Sequence, residues 1–373
     1  MKIAVLKERA AGETRVALTP ETAKKFIALG ADVAVEKGAG ETASISDAAY
    51  AEAGATVGTA AQVVKDAGIV LGIQAPDVAA LKGARPDAKV AALFDPFKNG
   101  ALVDAYAKAG FEALSMEFMP RITRAQSMDV LSSQSNLAGY KAVMAAANQY
   151  GRAFPMMMTA AGTVQAARVF VMGVGVAGLQ AIATAKRLGA QVSATDVRSA
   201  TREQIESLGA KAIFVAEGGI EGEGSGGYAS EMSDEYKAAQ AKLVSEHIAK
   251  QDIVITTALI PGRPAPRLIS DDQIASMKPG SVIYDIAVPQ GGNVEGAVAD
   301  ELVNRHGVII MGYANTPAHL APDASALFAR NLYNFLSAFW DGEAGEPVLD
   351  EEIGDAVRLT KGGEVVNQRL KEG

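Results

Sequence analysis

One short run, residues 168–178 (RVFVMGVGVAG), constrains the fold of this chain more than any other part of it. An apolar β-type stretch leads into Gly173-x-Gly175-x-x-Gly178, and the residues beyond place Ala181, Ile182, Ala185 and Leu188 on one helical face. A bare G-x-G-x-x-G says little, but strand, glycine turn and helix in this order form a dinucleotide-binding unit. Gly173 permits the tight turn, Gly175 lets a pyrophosphate approach the backbone, and Gly178 lets the helix lie close to the strand. The free N–H groups at the helix N-terminus then face the phosphates. The next β-type run, 191–195, ends at Asp196, twenty-three positions after Gly173. A carboxylate there accepts the ribose hydroxyls of an adenosine and repels a 2′-phosphate, which favours NAD over NADP. Arg198, two residues on, offers a phosphate a cation, so the preference sets Asp196 against Arg198.

A chain of 373 residues exceeds what one core usually supports, and two domains are expected. Its 49% hydrophobic content suffices for two parallel sheets buried on both faces. A formal charge of −8 with no block of Lys and Arg argues against a nucleic-acid surface. The absence of cysteine removes disulfides, thiolate nucleophiles and Cys-based metal sites, so no metal is expected and a reducing compartment fits. The first apolar run is too short for a signal sequence. The longest weakly polar stretch, 169–185, is accounted for by the nucleotide turn, so no membrane span is expected.

Short apolar runs alternate with helical ones throughout, the pattern of an α/β protein. Strands are expected at 3–6, 33–36, 69–73, 90–94 and 111–115. Thr19 caps a helix with Pro20 at its first position, and Gly30 ends it. A polar stretch, 120–135, precedes a helix expected over 136–150. A second set of six strands is expected near Val169 and Val192, at 212–215, 253–256 and 282–286, and at 308–311. A helix over 324–339 should return the chain to the first domain. The expected architecture is two doubly wound Rossmann-like domains with parallel sheets. The first comprises 1–135 plus 318–373, the nucleotide-binding domain 136–317, and the cofactor cleft lies between them. Residues 217–228 hold six glycines and almost no apolar residue, which fits a mobile flap and, equally, a tolerated surface insertion. The segment 120–129 carries Arg121, Arg124, Gln126 and Asp129, and by composition alone reads as a solvated linker.

Taken together, residues 119–140 (MPRITRAQSMDVLSSQSNLAGY), 154–163 (FPMMMTAAGT), the glycine turn, Gly226-Gly227-Tyr228 and 256–262 (TTALIPG) resemble the NAD(H)-binding component of the proton-translocating nicotinamide nucleotide transhydrogenases. The likeness covers all but about the last thirty residues. It implies that Arg121, Gln126, Asp129 and Ser132 form the catalytic loop beside the nicotinamide, with Ile122, Thr123, Ser127 and Met128 also contacting cofactor. An Arg121–Asp129 pair would hold that loop, while the Gln126 amide bonds a ribose hydroxyl or second nucleotide without supplying a proton. By the same likeness Gly173, Gly175, Val176, Gly178, Asp196, Val197 and Arg198 bind the adenosine and phosphates. Gly227, Gln240, Thr257, Ala258 and Leu259 complete the site, and Tyr228 closes over it. It implies NAD(H) on this chain and NADP(H) on a partner subunit. It also implies a homodimer, separate membrane proton-channel subunits, and a place on the cytoplasmic face of the inner membrane.

Alanine dehydrogenases are similar in fold and share the start 12–20 (GETRVALTP). Where that family carries a substrate lysine this chain has Gln74; where it has a histidine, Asp95-Pro96; and the position of its catalytic aspartate is Pro289. His247, His306 and His319 lie at none of these positions and are read as structural. Oxidising an amine or alcohol needs a positioned base, whereas hydride exchange between two nicotinamides needs only alignment in a dry site. The expected activity is therefore hydride transfer between NADH and NADP held on another polypeptide. An alanine-dehydrogenase-like oxidoreductase and a non-catalytic NAD-binding module are the alternatives.

Overall fold

The computed structural model describes residues 1–215, 234–260 and 262–371. The chain divides into two compact units, Met1–Gln134 with Ala318–Gly373, and Ser135–Pro317. In the first, strands β1 (Lys2–Val5), β2 (Asp32–Glu36), β3 (Thr56–Gly58), β4 (Ile69–Gln74), β5 (Lys89–Leu93) and β6 (Glu112–Ser115) form one parallel sheet. Their order is β3-β2-β1-β4-β5-β6. Successive side chains of a strand point to opposite faces. Ile3 and Val5 accordingly join one core with Phe26 and Phe328, while Ala4 and Leu6 join another with Val63 and Tyr106. Helices cover both faces of the sheet. Thr19 accepts a hydrogen bond from the Thr22 N–H at 3.3 Å, and Pro20 starts the helix Pro20–Ala28.

In the second unit the first strands form a hairpin, β7 (Met157–Thr159) and β8 (Gly162–Val164). Its main sheet comprises β9 (Arg168–Met172), β10 (Gln191–Thr195), β11 (Lys211–Ala212), β12 (Ile253–Thr256), β13 (Val282–Asp285), β14 (Val303–Arg305) and β15 (Val308–Met311). The order is β11-β10-β9-β12-β13-β15-β14. Val169 and Val171 pack with Ala181, Ile182 and Ala185 on one face, and Phe170 and Met172 with Val244 and Ile248 on the other. Both sheets reverse direction of winding beside their first strand, between β1 and β4 and between β9 and β12. In doubly wound folds such a switch point is where ligands settle, at the carboxyl ends of the strands.

Several expectations change. The second sheet is not wholly parallel, because β14 runs antiparallel to β15 at its edge. Edge strands β3 and β14 have three residues each, too few to show an alternating pattern, and β11 is shorter than the run expected at 212–215. The helix expected from residue 136 begins earlier, as Val130–Gln149. Its polar first turns mislead because they are satisfied inside the first unit: the Ser133 hydroxyl bonds Asn331 Oδ1 at 2.7 Å and Gln134 donates to the Ala324 carbonyl at 3.1 Å.

The helix Ala321–Ala338 belongs to the first unit, as do the described residues beyond it. They form two short hairpins, Trp340–Asp341 with Glu346–Pro347 and Thr360–Lys361 with Glu364–Val365. Thr360 Oγ1 donates to the Phe111 carbonyl at 2.7 Å and accepts from the Ala113 N–H at 3.0 Å, and the Leu359 N–H donates to the Ala113 carbonyl at 2.8 Å. The outer edge of β6 is thereby covered, which protects a strand edge from pairing elsewhere.

Candidate nucleotide-binding site

β9 ends in the glycine turn because two of its three glycines, Gly173 and Gly178, make the turn sterically possible. Gly173 has φ +95°, and a Cβ there would lie 2.6 Å from Thr257 Oγ1. A Cβ on Gly178 would lie 1.9 Å from the Gly173 carbonyl oxygen, so only glycine lets the helix Val176–Arg187 start against the strand end. Gly175 differs. Its backbone is extended, φ −84° and ψ −162°, and a Cβ there would meet no protein atom within 4 Å. The protein's own packing does not require glycine at 175, whereas a pyrophosphate approaching the backbone at this turn would. The residues present therefore fit a dinucleotide.

The Asp196 carboxylate is buried, and its oxygens are engaged. Oδ2 accepts from the Val174 N–H at 2.6 Å and from Arg198 Nη2 at 2.9 Å, while Oδ1 accepts from the Arg198 N–H and Nε, both at 2.9 Å. Burial would raise its pKa, but the bonds from Arg198 and Val174 hold it below the usual carboxylate range. The group is a fixed anion at the end of β10. Arg198 also donates to the Val174 carbonyl at 3.1 Å, so the pair expected to compete over a phosphate is locked together across the turn. A ribose hydroxyl would share Asp196 with Arg198 instead of having the carboxylate to itself. Val176 and Leu259 are exposed large apolar side chains.

Beside the turn lies the loop after β12. Thr257 Oγ1 donates to the Gly173 carbonyl at 2.9 Å, and the Thr257 N–H to the Met172 carbonyl. Thr257, Ala258 and Leu259 are thus brought to the turn together with Asp196, Val197 and Arg198. Gln240 lies in the helix Asp234–Ile248, which hydrogen bonds of Ala241, Ser245 and His247 tie to Gln273 and Ser193. Gly227 and Tyr228, with the expected flap, lie outside the described residues.

In the first unit the segment 121–132 forms a tight loop, a 3-10 turn Thr123–Met128 followed by the helix start. Ala125 and Met128 are buried in the core, so both anchor the loop. The Ser127 carbonyl accepts from the amides of Asn331 at 2.8 Å and Asn334 at 3.0 Å. Asp129 accepts from the Ser132 N–H at 2.9 Å and the Ser132 hydroxyl at 2.5 Å, capping the helix that follows. The loop's shape is therefore held by these anchors and not by an Arg121–Asp129 pair alone. Arg121, Thr123, Gln126 and Ser127 stay exposed, with Ile122 half-buried. Arg124 bonds Asp350 and Glu352 of the carboxyl-terminal segment at 2.5 and 2.6 Å. That link joins residues more than two hundred positions apart, and nothing in the local sequence announces it.

At this unit's own switch point sits a buried polar cluster. Arg15 forms a two-pronged pair with Glu13, Nε at 2.7 Å and Nη2 at 2.6 Å, and donates to Gln134 Oε1 at 2.8 Å. Gln74 donates to Glu13 at 3.2 Å, and Glu8 accepts from the Ile73 N–H at 2.6 Å. Burial pushes the Glu8 carboxyl up to about 7, against the lowering effect of the Ile73 and Gln74 N–H groups. The Arg15 guanidinium is thus committed to Glu13 and Gln134.

Two family models match the chain, the alanine dehydrogenase/PNT N-terminal domain over residues 4–138 and the C-terminal domain over 142–368. The chain belongs to the alanine dehydrogenase/PNT family. It is 52% identical to the first of the alpha-subunit polypeptides of the NAD(P) transhydrogenase of Rhodospirillum rubrum, covering 99% of both chains. A solved transhydrogenase structure from Sinorhizobium meliloti matches with a TM-score of 0.89 and 53% identity, over 98% of this chain and 100% of that one. The alanine dehydrogenase of Halomonas elongata is 29% identical, over 94% of this chain and 91% of that protein. Within the family the chain stands with the NAD(H)-binding transhydrogenase components. Among the described residues no helix is long and apolar enough to cross a membrane, and no cluster of His, Asp or Glu is arranged to hold a metal.

Proposed function

We propose that this chain is the NAD(H)-binding subunit of a proton-translocating transhydrogenase and exchanges hydride with NADP(H) held on a partner subunit. The observation that carries the reading is the 52% identity along the whole length of a transhydrogenase alpha-subunit polypeptide. The geometry supports it in two ways. Of the three glycines in the turn only Gly175 would meet no protein atom within 4 Å of an added Cβ, and Asp196 provides a fixed anion that disfavours a 2′-phosphate. The loop 121–129 offers Gln126, an amide able to align a ribose or a second ring but unable to take a proton.

Hydride leaves C4 of the dihydronicotinamide and arrives at C4 of the oxidised ring, so one ring is oxidised as the other is reduced and no proton is released. Rate then depends on holding the two rings at near-attack distance away from water. Proton movement falls to membrane subunits, and docking on them, as a homodimer, would place this chain at the cytoplasmic face of the membrane. The test is to mix the purified chain with an NADP-binding partner subunit and follow reduction of an oxidised NAD analogue by NADPH. Transfer is expected; binding of NADH with no transfer to a competent partner would leave a non-catalytic NAD-binding module. The alanine dehydrogenase reading predicts NADH formation from alanine by the chain alone. With Gln74, Asp95-Pro96 and Pro289 standing where that family carries its lysine, histidine and aspartate, the expected result is none.

A further inference from the structure

The turn is braced by residues that no glycine motif includes. Asp285, at the end of β13, is fully buried and takes four bonds: Oδ1 from the Thr256 hydroxyl at 3.0 Å and the Ala287 N–H at 2.9 Å, Oδ2 from the N–H groups of Asn293 at 2.7 Å and Val294 at 3.1 Å. The chain reaches back to it through Gly291 and Gly292, both at positive φ, and a Cβ on Gly292 would lie 2.8 Å from Asp285 Oδ2. This fold-back delivers the Asn293 side chain, itself fully buried, to the loop after β12. Its Oδ1 accepts from the Ala258 N–H at 3.0 Å, and its Nδ2 donates to the carbonyls of Ala258 at 2.9 Å and Pro266 at 2.8 Å. The amide thus imitates a strand neighbour, satisfying both backbone groups of Ala258 where the sheet has ended.

The loop so held is the one whose Thr257 hydroxyl bonds the Gly173 carbonyl. β12 and β10 lie on opposite sides of β9. In a doubly wound nucleotide site the pyrophosphate sits at the turn, and the acidic residue ending the β10-type strand serves the adenosine half. The end of β12 then faces the other half of the dinucleotide. We infer that Asn293, set by Asp285, is a positioning residue for the nicotinamide half of NAD(H), acting through Ala258 and Leu259. The assignment rests on the NAD(H) reading above.

It separates two ligands that a general loss of structure would not. In the full chain, Asn293→Ala should weaken NADH binding roughly tenfold while leaving adenosine monophosphate affinity unchanged, because a buried amide holding three bonds is lost on one side of the turn only. Isothermal titration with both ligands reads this directly, and retained adenosine monophosphate binding reports that the unit is folded. If Asn293→Ala does not fold, the isosteric Asn293→Asp, which keeps the acceptor but turns an oxygen toward two carbonyls, is read by the same pair of titrations. Equal losses for both ligands, or no loss for either, would overturn the assignment. Failure of the unaltered chain to bind NADH would sink the NAD(H) reading itself, and is seen before any variant is compared.

Discussion

The three glycines of the turn look alike in sequence and differ in what forbids a side chain. At Gly178 the obstacle is the protein's own Gly173 carbonyl, 1.9 Å from where a Cβ would stand; at Gly175 the protein offers no obstacle. Gly178→Ala should therefore damage the free protein, by at least ~2 kcal/mol, since helix and strand end must separate. Gly175→Ala should leave the melting temperature of the free chain nearly unchanged, a stability difference within about 1 kcal/mol, yet weaken NADH binding by roughly tenfold or more. Thermal melts with and without NADH measure both. A Gly175→Ala protein that binds NADH normally would mean that no phosphate approaches this turn. The motif identified the position of the turn; which glycine serves the fold and which serves a ligand became readable only from the distances.

At the scale of elements, the strands with long apolar runs were legible because their pattern is dense: residues 69–73 and 253–256 stand as β4 and β12 nearly as expected. What was illegible depends on partners distant in sequence. The polar turns Ser132-Ser133-Gln134 look like linker until Asn331 and the Ala324 carbonyl are seen to receive them. Residues 351–371 show no strong period, yet Thr360 covers the edge of β6. Thr360→Val should cost about 1–3 kcal/mol, because the Ala113 N–H is left buried without an acceptor, and denaturant titration should show it. In the loop 121–129 the anchoring and the chemistry are separable. Ala125, Met128 and the Ser127 carbonyl fix its shape, whereas Gln126 is exposed. Gln126→Asn shortens an exposed side chain without touching an anchor, so hydride transfer should slow while NADH affinity stays within roughly twofold. A large loss of binding in the same titration would make Gln126 a cofactor anchor instead.

For the molecule as a whole, each unit holds a titratable group whose pKa is moved by loss of solvent, and the two respond to pH in opposite senses. In the first unit, burial raises Glu8 from 4.5 to about 7. Its contribution is fully present below 4.5, where the carboxyl is neutral in folded and unfolded chains alike, and is lost as pH rises through about 7. In the second, His247 is lowered from 6.5 by burial and by Lys211 and Lys250. Its Nε2 lies 2.8 Å from the Ser193 hydroxyl and 3.1 Å from the Gln251 amide nitrogen. That contribution is present above 6.5 and lost as pH falls below it, because burial and the neighbouring Lys211 and Lys250 oppose a charged ring. Calorimetric melts of Glu8→Gln should flatten the pH dependence of the first unit's transition between 4.5 and 7, by an amount on the order of 1–3 kcal/mol across that window. His247→Gln should flatten the second unit's loss below 6.5. Comparing each variant with the unaltered chain cancels the other buried carboxylates, including Asp285, whose pKa is also raised by burial. If both variants changed the same transition, or if each steepened the slope it should remove, the two groups would not be set by burial in the units that hold them.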